Sequence, residues 1–129
     1  MPTTRHTLGS RERIKSRKRM EQLFREGRAL QVPPLRASYI LLEEPVLQFG
    51  VGVGTRHFKK AVDRNRIKRL LREAYRLQKQ PLQEALQKTN RGLALFVMYT
   101  GRELPDYHRV YEKMTYVLAQ LHQQFHEIR

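Results

Sequence analysis

Between Ala61 and Arg76 the chain reads AVDRNRIKRLLREAYR, and this stretch restricts the fold more than any other. At about 100° per residue, Ile67, Leu70, Leu71 and Ala74 fall on one side of a helix. Asn65, Lys68, Arg69, Arg72 and Arg76 repeat that spacing on the other side. The aliphatic side must pack against a second layer, so the helix cannot stand alone. The basic side must stay in solvent or meet a polyanion, because only Asp63 and Glu73 offset it within the segment. Solvated helix faces usually interleave acids four residues from their cations. This one hardly does, which favours a nucleic-acid contact over a merely solvated face.

The whole chain shares the bias. Its 129 residues hold 26 Lys and Arg against 12 Asp and Glu, a formal net charge of +14, and the isoelectric point is near 10.8. Folding does not require such an excess, and a phosphate backbone attracts it. The length suits a single domain with one core of packed layers. With no cysteine, a disulfide framework and a thiolate zinc site are excluded, and a reducing compartment is compatible with the chain. No apolar run approaches the roughly 20 residues that span a bilayer, and the amino terminus lacks the apolar core of a signal peptide. A soluble, cytoplasmic protein with no membrane partner is therefore expected. A membrane-surface helix would set Trp or Phe opposite its cations, whereas this one sets short aliphatics there.

Residues 1–13 mix Pro, Thr, Gly, Ser and Arg without periodicity and read as a flexible basic tail ahead of one domain over 14–129. Ser16 can cap a helix carrying Met20, Leu23 and Phe24, which Gly27 stops in the left-handed conformation. Beyond Pro33 and Pro34, Leu35 to Leu42 reads as a strand, and Glu43, Glu44 and Pro45 as a turn. From Phe49 to Gly54, Phe49, Val51 and Val53 alternate with Gly50, Gly52 and Gly54. One face of that strand packs, and the other is bare enough for a backbone or a flat ligand to approach. The basic helix spans about Lys60 to Gln78. Pro81 opens a short helix through about Gln87, broken by Asn90 and Gly92. Leu93 to Tyr99 is continuously apolar, the pattern of a central strand. Pro105 suits the first turn of a last helix, whose stripe is Tyr107, Val110, Tyr111, Met114, Val117, Leu118, Leu121 and Phe125. Helices on a single sheet follow from this order.

Catalytic groupings are missing from the pattern. Asp63, Glu73, Glu103 and Asp106 do not cluster as a metal nuclease or an acid–base pair needs. His122 and His126 have metal-ligand spacing, but Gln123 replaces the glutamate of an HExxH motif and no third ligand is evident, so no metal site is assigned. The alternating glycines lack the following Gly-Lys-Ser/Thr of a phosphate loop.

Arg64-Asn65-Arg66, followed by Ile67-Lys68-Arg69 and Arg72-Glu73, resembles the signature of the protein subunit of bacterial ribonuclease P. Its neighbours resemble that family too: Ile14-Lys15-Ser16 leading into a helix that ends Leu23-Phe24-Arg25-Glu26-Gly27, the Val51 to Val53 strand, the basic loop Arg56 to Lys60, and the late apolar strand. The likeness runs from about Arg13 to Leu121. It implies an α/β (α+β) two-layer sandwich: a mainly antiparallel four-stranded sheet with helices packed on it, and a left-handed βαβ crossover through the basic helix. It also implies a protein that does not cut RNA itself. The partner is a catalytic RNA, one protein per RNA, with magnesium ions bound mainly by that RNA and the precursor tRNA substrate. By this resemblance Arg64, Asn65, Arg66, Lys68, Arg69, Arg72 and Arg76 dock on the RNA subunit. Met20, Phe24, Tyr39, Arg56 and Lys60 hold the single-stranded 5′ leader in a cleft between the first helix and the sheet. Met20 stands where many members carry a second phenylalanine, and Thr55 where they often carry a basic residue. Taken alone, Met20 and Phe24 read more readily as core positions beside Leu23, and the cleft reading rests on the resemblance. A structural or regulatory RNA-binding protein of the same fold is the rival reading, and a DNA-binding protein a third.

Overall fold

The computed structural model describes residues 13–14 and 16–127, with 125–127 described by backbone alone. The expectations for residues 1–12 and for the side chains of Phe125 and His126 lie outside these. In chain order the elements are α1 (Arg17–Glu26), β1 (Arg28–Val32), β2 (Leu35–Leu42), β3 (Leu47–Val53), α2 (Ala61–Gln78), α3 (Gln80–Thr89), β4 (Gly92–Tyr99) and α4 (Tyr107–Glu127). The four strands form one sheet in the order β1-β2-β4-β3.

Pairing explains what the local pattern left open. β1 has no clean alternation in RALQV and is not anticipated as a strand. It forms because Pro33 and Pro34 turn the chain back, so that Val32 pairs with Leu35 and Arg28 with Tyr39 in an antiparallel ladder. β4 is interior, antiparallel to β2 and parallel to β3, and this accounts for its unbroken apolar run. A parallel pair cannot be closed by a hairpin, and α2 with α3 supplies the connection. Arg13, the last residue of the expected tail, already forms a parallel bridge to Phe49.

The main core lies between the sheet and the helices α2, α3 and α4. Ile67, Leu71 and Ala74 are fully buried there, as the helical spacing predicts, together with Val110, Met114, Val117 and Leu121. Tyr75 joins them and stacks on Phe49, centroids 3.7 Å apart and planes 1° from parallel. On the other face of the sheet α1 packs, placing Leu23 against Leu42 and Ala94 with Ile14, Ile40, Val46 and Phe96 around them. The two-layer sandwich therefore carries one extra helix over part of its second face.

Three local expectations are corrected. Gly27 ends α1 but in extended conformation, φ −72° and ψ 158°. Its requirement is space, since a Cβ there would lie 2.2 Å from the Leu23 carbonyl oxygen. Pro105 is not in the first turn of α4; Asp106 caps that helix, its Oδ1 accepting from the Arg109 amide at 2.8 Å. The bare face of β3 is not free either. The Phe96 ring lies over it, so that a Cβ on Gly50 would sit 3.0 Å, and one on Gly52 2.8 Å, from ring carbons. Elsewhere the punctuation holds: Ser16 Oγ accepts from the Arg19 amide at 3.3 Å, and Asn90 takes the left-handed conformation after α3 with φ 55°.

Candidate nucleic-acid interface

The buried aliphatic face of α2 fixes where its basic face points. With Ile67, Leu71, Ala74 and Tyr75 anchored in the core, Asn65, Arg66, Arg69 and Arg72 are exposed and Lys68 is half-buried. Among the described residues Arg66, Lys68, Arg69 and Arg72 form no salt bridge. The two ends of the stripe differ from its middle. Arg76 is held by Glu73, its Nε donating to Oε2 at 3.0 Å and an Nη to the second carboxylate oxygen. Arg64 turns back along the chain, and one Nη donates to the carbonyls of Phe58 at 2.9 Å and Lys59 at 2.8 Å. The uncompensated charge is therefore concentrated over Arg66 to Arg72.

A second surface lies beside α1 on the other face of the sheet. Phe24 is 58 % exposed and meets Phe96 edge-on, centroids 5.6 Å apart at 79°. Met20 is half-buried on the same helix, and Arg56 and Lys60 are exposed on the loop that leads from β3 to α2. Tyr39 does not belong here. It is 6 % exposed within the main core, and its hydroxyl donates to Gln124 of α4. Strand alternation puts it on the opposite face of the sheet from Leu42, which packs with α1. On the α1 side β2 presents Arg36 and Ser38 instead. Arg36 is exposed, its strand partners being Gln31 and Met98. Sequence reasoning missed Arg36 as a rim cation, although its parity with the buried Leu35 and Ala37 marks it as facing away from the main core.

Two tyrosines near the start of α4 have raised pKa values. Burial is the first cause for Tyr99, with Glu103 adding to it and Arg109 opposing it; its hydroxyl donates to the Glu103 carbonyl at 2.6 Å. For Tyr107 burial again leads, followed by Glu73 and Tyr111, with Arg76 opposing. Among the described residues no three His, Asp or Glu side chains gather as a metal site would require, and no helix is long and apolar enough to cross a membrane.

The model of the ribonuclease P family matches residues 8–122. The chain belongs to the ribonuclease P protein family. The "Ribonuclease P protein component" of Porphyromonas gingivalis is 39 % identical over 110 residues, covering 83 % of this chain and 80 % of that one. That of Dictyoglomus turgidum is 30 % identical over 105 residues, covering 80 % and 82 %. Among solved structures, the ribonuclease P protein of Thermotoga maritima superposes with a TM-score of 0.69 at 27 % identity, over 85 % of this chain and 97 % of that one. The Staphylococcus aureus protein, with a TM-score of 0.65 at 18 % identity over 84 % and 93 %, shares the fold. Membership makes this ribonuclease P protein a component of an endoribonuclease complex that works in tRNA processing.

Proposed function

We propose that the protein grips the catalytic RNA of ribonuclease P through the basic face of α2 and holds the 5′ leader of precursor tRNA on the α1 side of the sheet. In this way it promotes removal of the leader to give the mature 5′ end. One observation carries the reading: a helix anchored by four buried side chains presents Arg66, Lys68, Arg69 and Arg72, none of them in a salt bridge among the described residues.

The chemistry suits a partner whose backbone, not its sequence, is recognised. Each guanidinium stays charged at any working pH and offers a planar fork of donors to phosphate oxygens. Cationic side chains that neutralise RNA phosphates displace the counterions condensed on them, and this release drives association. An extended leader needs stacking platforms within a positive groove; Phe24 over Phe96 offers the platform, and Arg36, Arg56 and Lys60 the charge. Among the described residues no three His, Asp or Glu side chains gather; in this reading the magnesium ions belong to RNA and substrate, and cleavage occurs there. One protein per RNA is the stoichiometry proposed.

Reconstitution tests the reading. Mixing the protein with a bacterial ribonuclease P RNA at low magnesium should raise the yield of mature 5′ ends from a precursor tRNA above that of the RNA alone. No stimulation would favour an RNA-binding protein of the same fold with no part in processing.

A further inference from the structure

We infer that Arg64 is a positioning residue: it fastens the cationic loop between β3 and α2 to the helix, and acts on RNA through that loop rather than through a phosphate of its own. The inference rests on the RNA-binding reading above. Its basis is the direction of the side chain. Arg64 occupies the first turn of α2, yet one Nη donates to two successive loop carbonyls, Phe58 at 2.9 Å and Lys59 at 2.8 Å. Among the described residues no side-chain hydrogen bond caps the helix start, where Lys60 is the N-cap.

The loop is thereby pinned on two sides. From within, Phe58 is buried, 5 % exposed, with its ring 5.9 Å from that of Tyr99. From the helix side the Arg64 guanidinium holds the two successive carbonyls, of Phe58 and Lys59, that flank the Lys59 α-carbon. Between these pins Arg56, His57, Lys59 and Lys60 all face solvent. A short segment carrying three permanent cations repels itself, and it would spread unless tethered. A clamp that orders it before RNA arrives removes the ordering cost from the binding step. Two carbonyl oxygens accepting from one charged donor group make a suitable clamp, because charge-assisted hydrogen bonds are the stronger kind. The remaining donors of the guanidinium keep its charge in the surface field.

Backbone relaxation of the free, full-length protein tests the clamp directly. In wild type, amide order parameters over residues 55–60 should be near ~0.85, and in Arg64→Ala below ~0.6, while Arg66→Ala leaves them unchanged. Arg64→Met, which keeps the aliphatic stem, should behave like Arg64→Ala and guards against a folding defect. A thermodynamic cycle tests the consequence. Arg64→Ala should weaken binding to ribonuclease P RNA on the order of tenfold, because the loop must then be ordered in the binding step. That loss should vanish in a background already carrying Arg56→Ala, Lys59→Ala and Lys60→Ala. Unchanged order parameters, or an undiminished loss in that background, would overturn the inference. If wild type binds ribonuclease P RNA no better than unrelated RNA, the functional reading fails, and the relaxation data still decide the clamp.

Discussion

The same four strands make two unlike surfaces. Toward α2 and α4 the sheet presents Leu35, Ala37, Tyr39, Phe49, Leu95 and Val97, all buried, under a continuous helical layer. Toward α1 it presents Gly50 and Gly52 beneath the Phe96 ring, Arg36 and Ser38, and among the described residues α1 and Ile14 cover the part around Leu42 and Ala94. The first face meets the demand of any domain this size for a core. The second leaves aromatic surface half-covered at a cost in burial that the first must offset. Stability and recognition are thus separated by the pleat of the sheet, and substitutions one residue apart on a strand fall under different rules.

The contrast is sharpest for two aromatic side chains. Tyr75→Ala removes a ring that is 1 % exposed and stacked on Phe49, and it should lower unfolding free energy by about 3–5 kcal/mol, the range for large aromatics in cores. Phe24→Ala removes a ring that is 58 % exposed and should cost under ~1 kcal/mol, while weakening precursor tRNA binding more than mature tRNA binding. Urea denaturation and paired binding titrations measure both. Similar stability losses for the two variants would erase the distinction between the faces.

Gly52→Ala tests whether the open face is preorganised. The new Cβ would meet the Phe96 ring at 2.8 Å, so the ring must move or the strand must bend. A loss of about 1–3 kcal/mol is expected, as for other overpacked sites, together with weaker leader binding as the Phe24–Phe96 edge contact is displaced. A fully retained leader preference would show that Phe96 takes no part in the surface.

How much of this could be read beforehand depends on whether a residue's partner is local. α2 and β4 were legible because 3.6-residue spacing and an unbroken apolar run are properties of the segment itself. β1 was not, because RALQV becomes a strand only through its ladder to β2 across the two prolines. Tyr39 shows the limit within a strand. Leu35, Ala37 and Tyr39 share a face, but Ile40 and Leu42 are apolar too, so the sequence leaves β2 apolar on both sides near its end and the resemblance placed Tyr39 on the wrong one. Gly27 marked the end of α1 correctly, yet the reason for a glycine, space beside the Leu23 carbonyl, is a three-dimensional fact. On the candidate RNA face the spacing found the cations. It could reveal the Glu73–Arg76 pair three residues apart, but not that Arg64 bends back to the Phe58 and Lys59 carbonyls.

Behind the closed face the outward side of α2 behaves as a third surface, and its charges should be separable from stability. Arg72→Ala should leave the urea midpoint unchanged, since the side chain is exposed and unpaired among the described residues. It should lower the log–log salt slope of RNA binding by somewhat under ~1, one phosphate contact's worth. Arg76→Ala should change the slope less, because Glu73 already occupies that guanidinium. Equal slopes for wild type and Arg72→Ala would argue against direct contact.

The smallest expected effect is alkaline, and it belongs to the closed side alone. Tyr99 and Tyr107 have folded pKa values above the ordinary phenol value of 10.0, chiefly because burial disfavours the phenolate. The unfolded chain therefore gives up these protons first, and as pH rises past about 10 it binds fewer than the folded chain. With fewer protons on the unfolded state, unfolding free energy falls as pH increases. The contribution is complete below that pH and is lost progressively toward the raised folded values. Tyr99→Phe should lower stability at neutral pH by about 1 kcal/mol through loss of the hydrogen bond to the Glu103 carbonyl, and should flatten the alkaline decline. Phe24→Ala, on the open face with no phenol, should leave the shape of that decline unaltered. Urea titrations between pH 8 and 11 compare the three proteins; an alkaline slope as steep in Tyr99→Phe as in wild type would assign the effect to Tyr107, whose hydroxyl is buried beside Glu73 with no hydrogen-bond partner among the described residues.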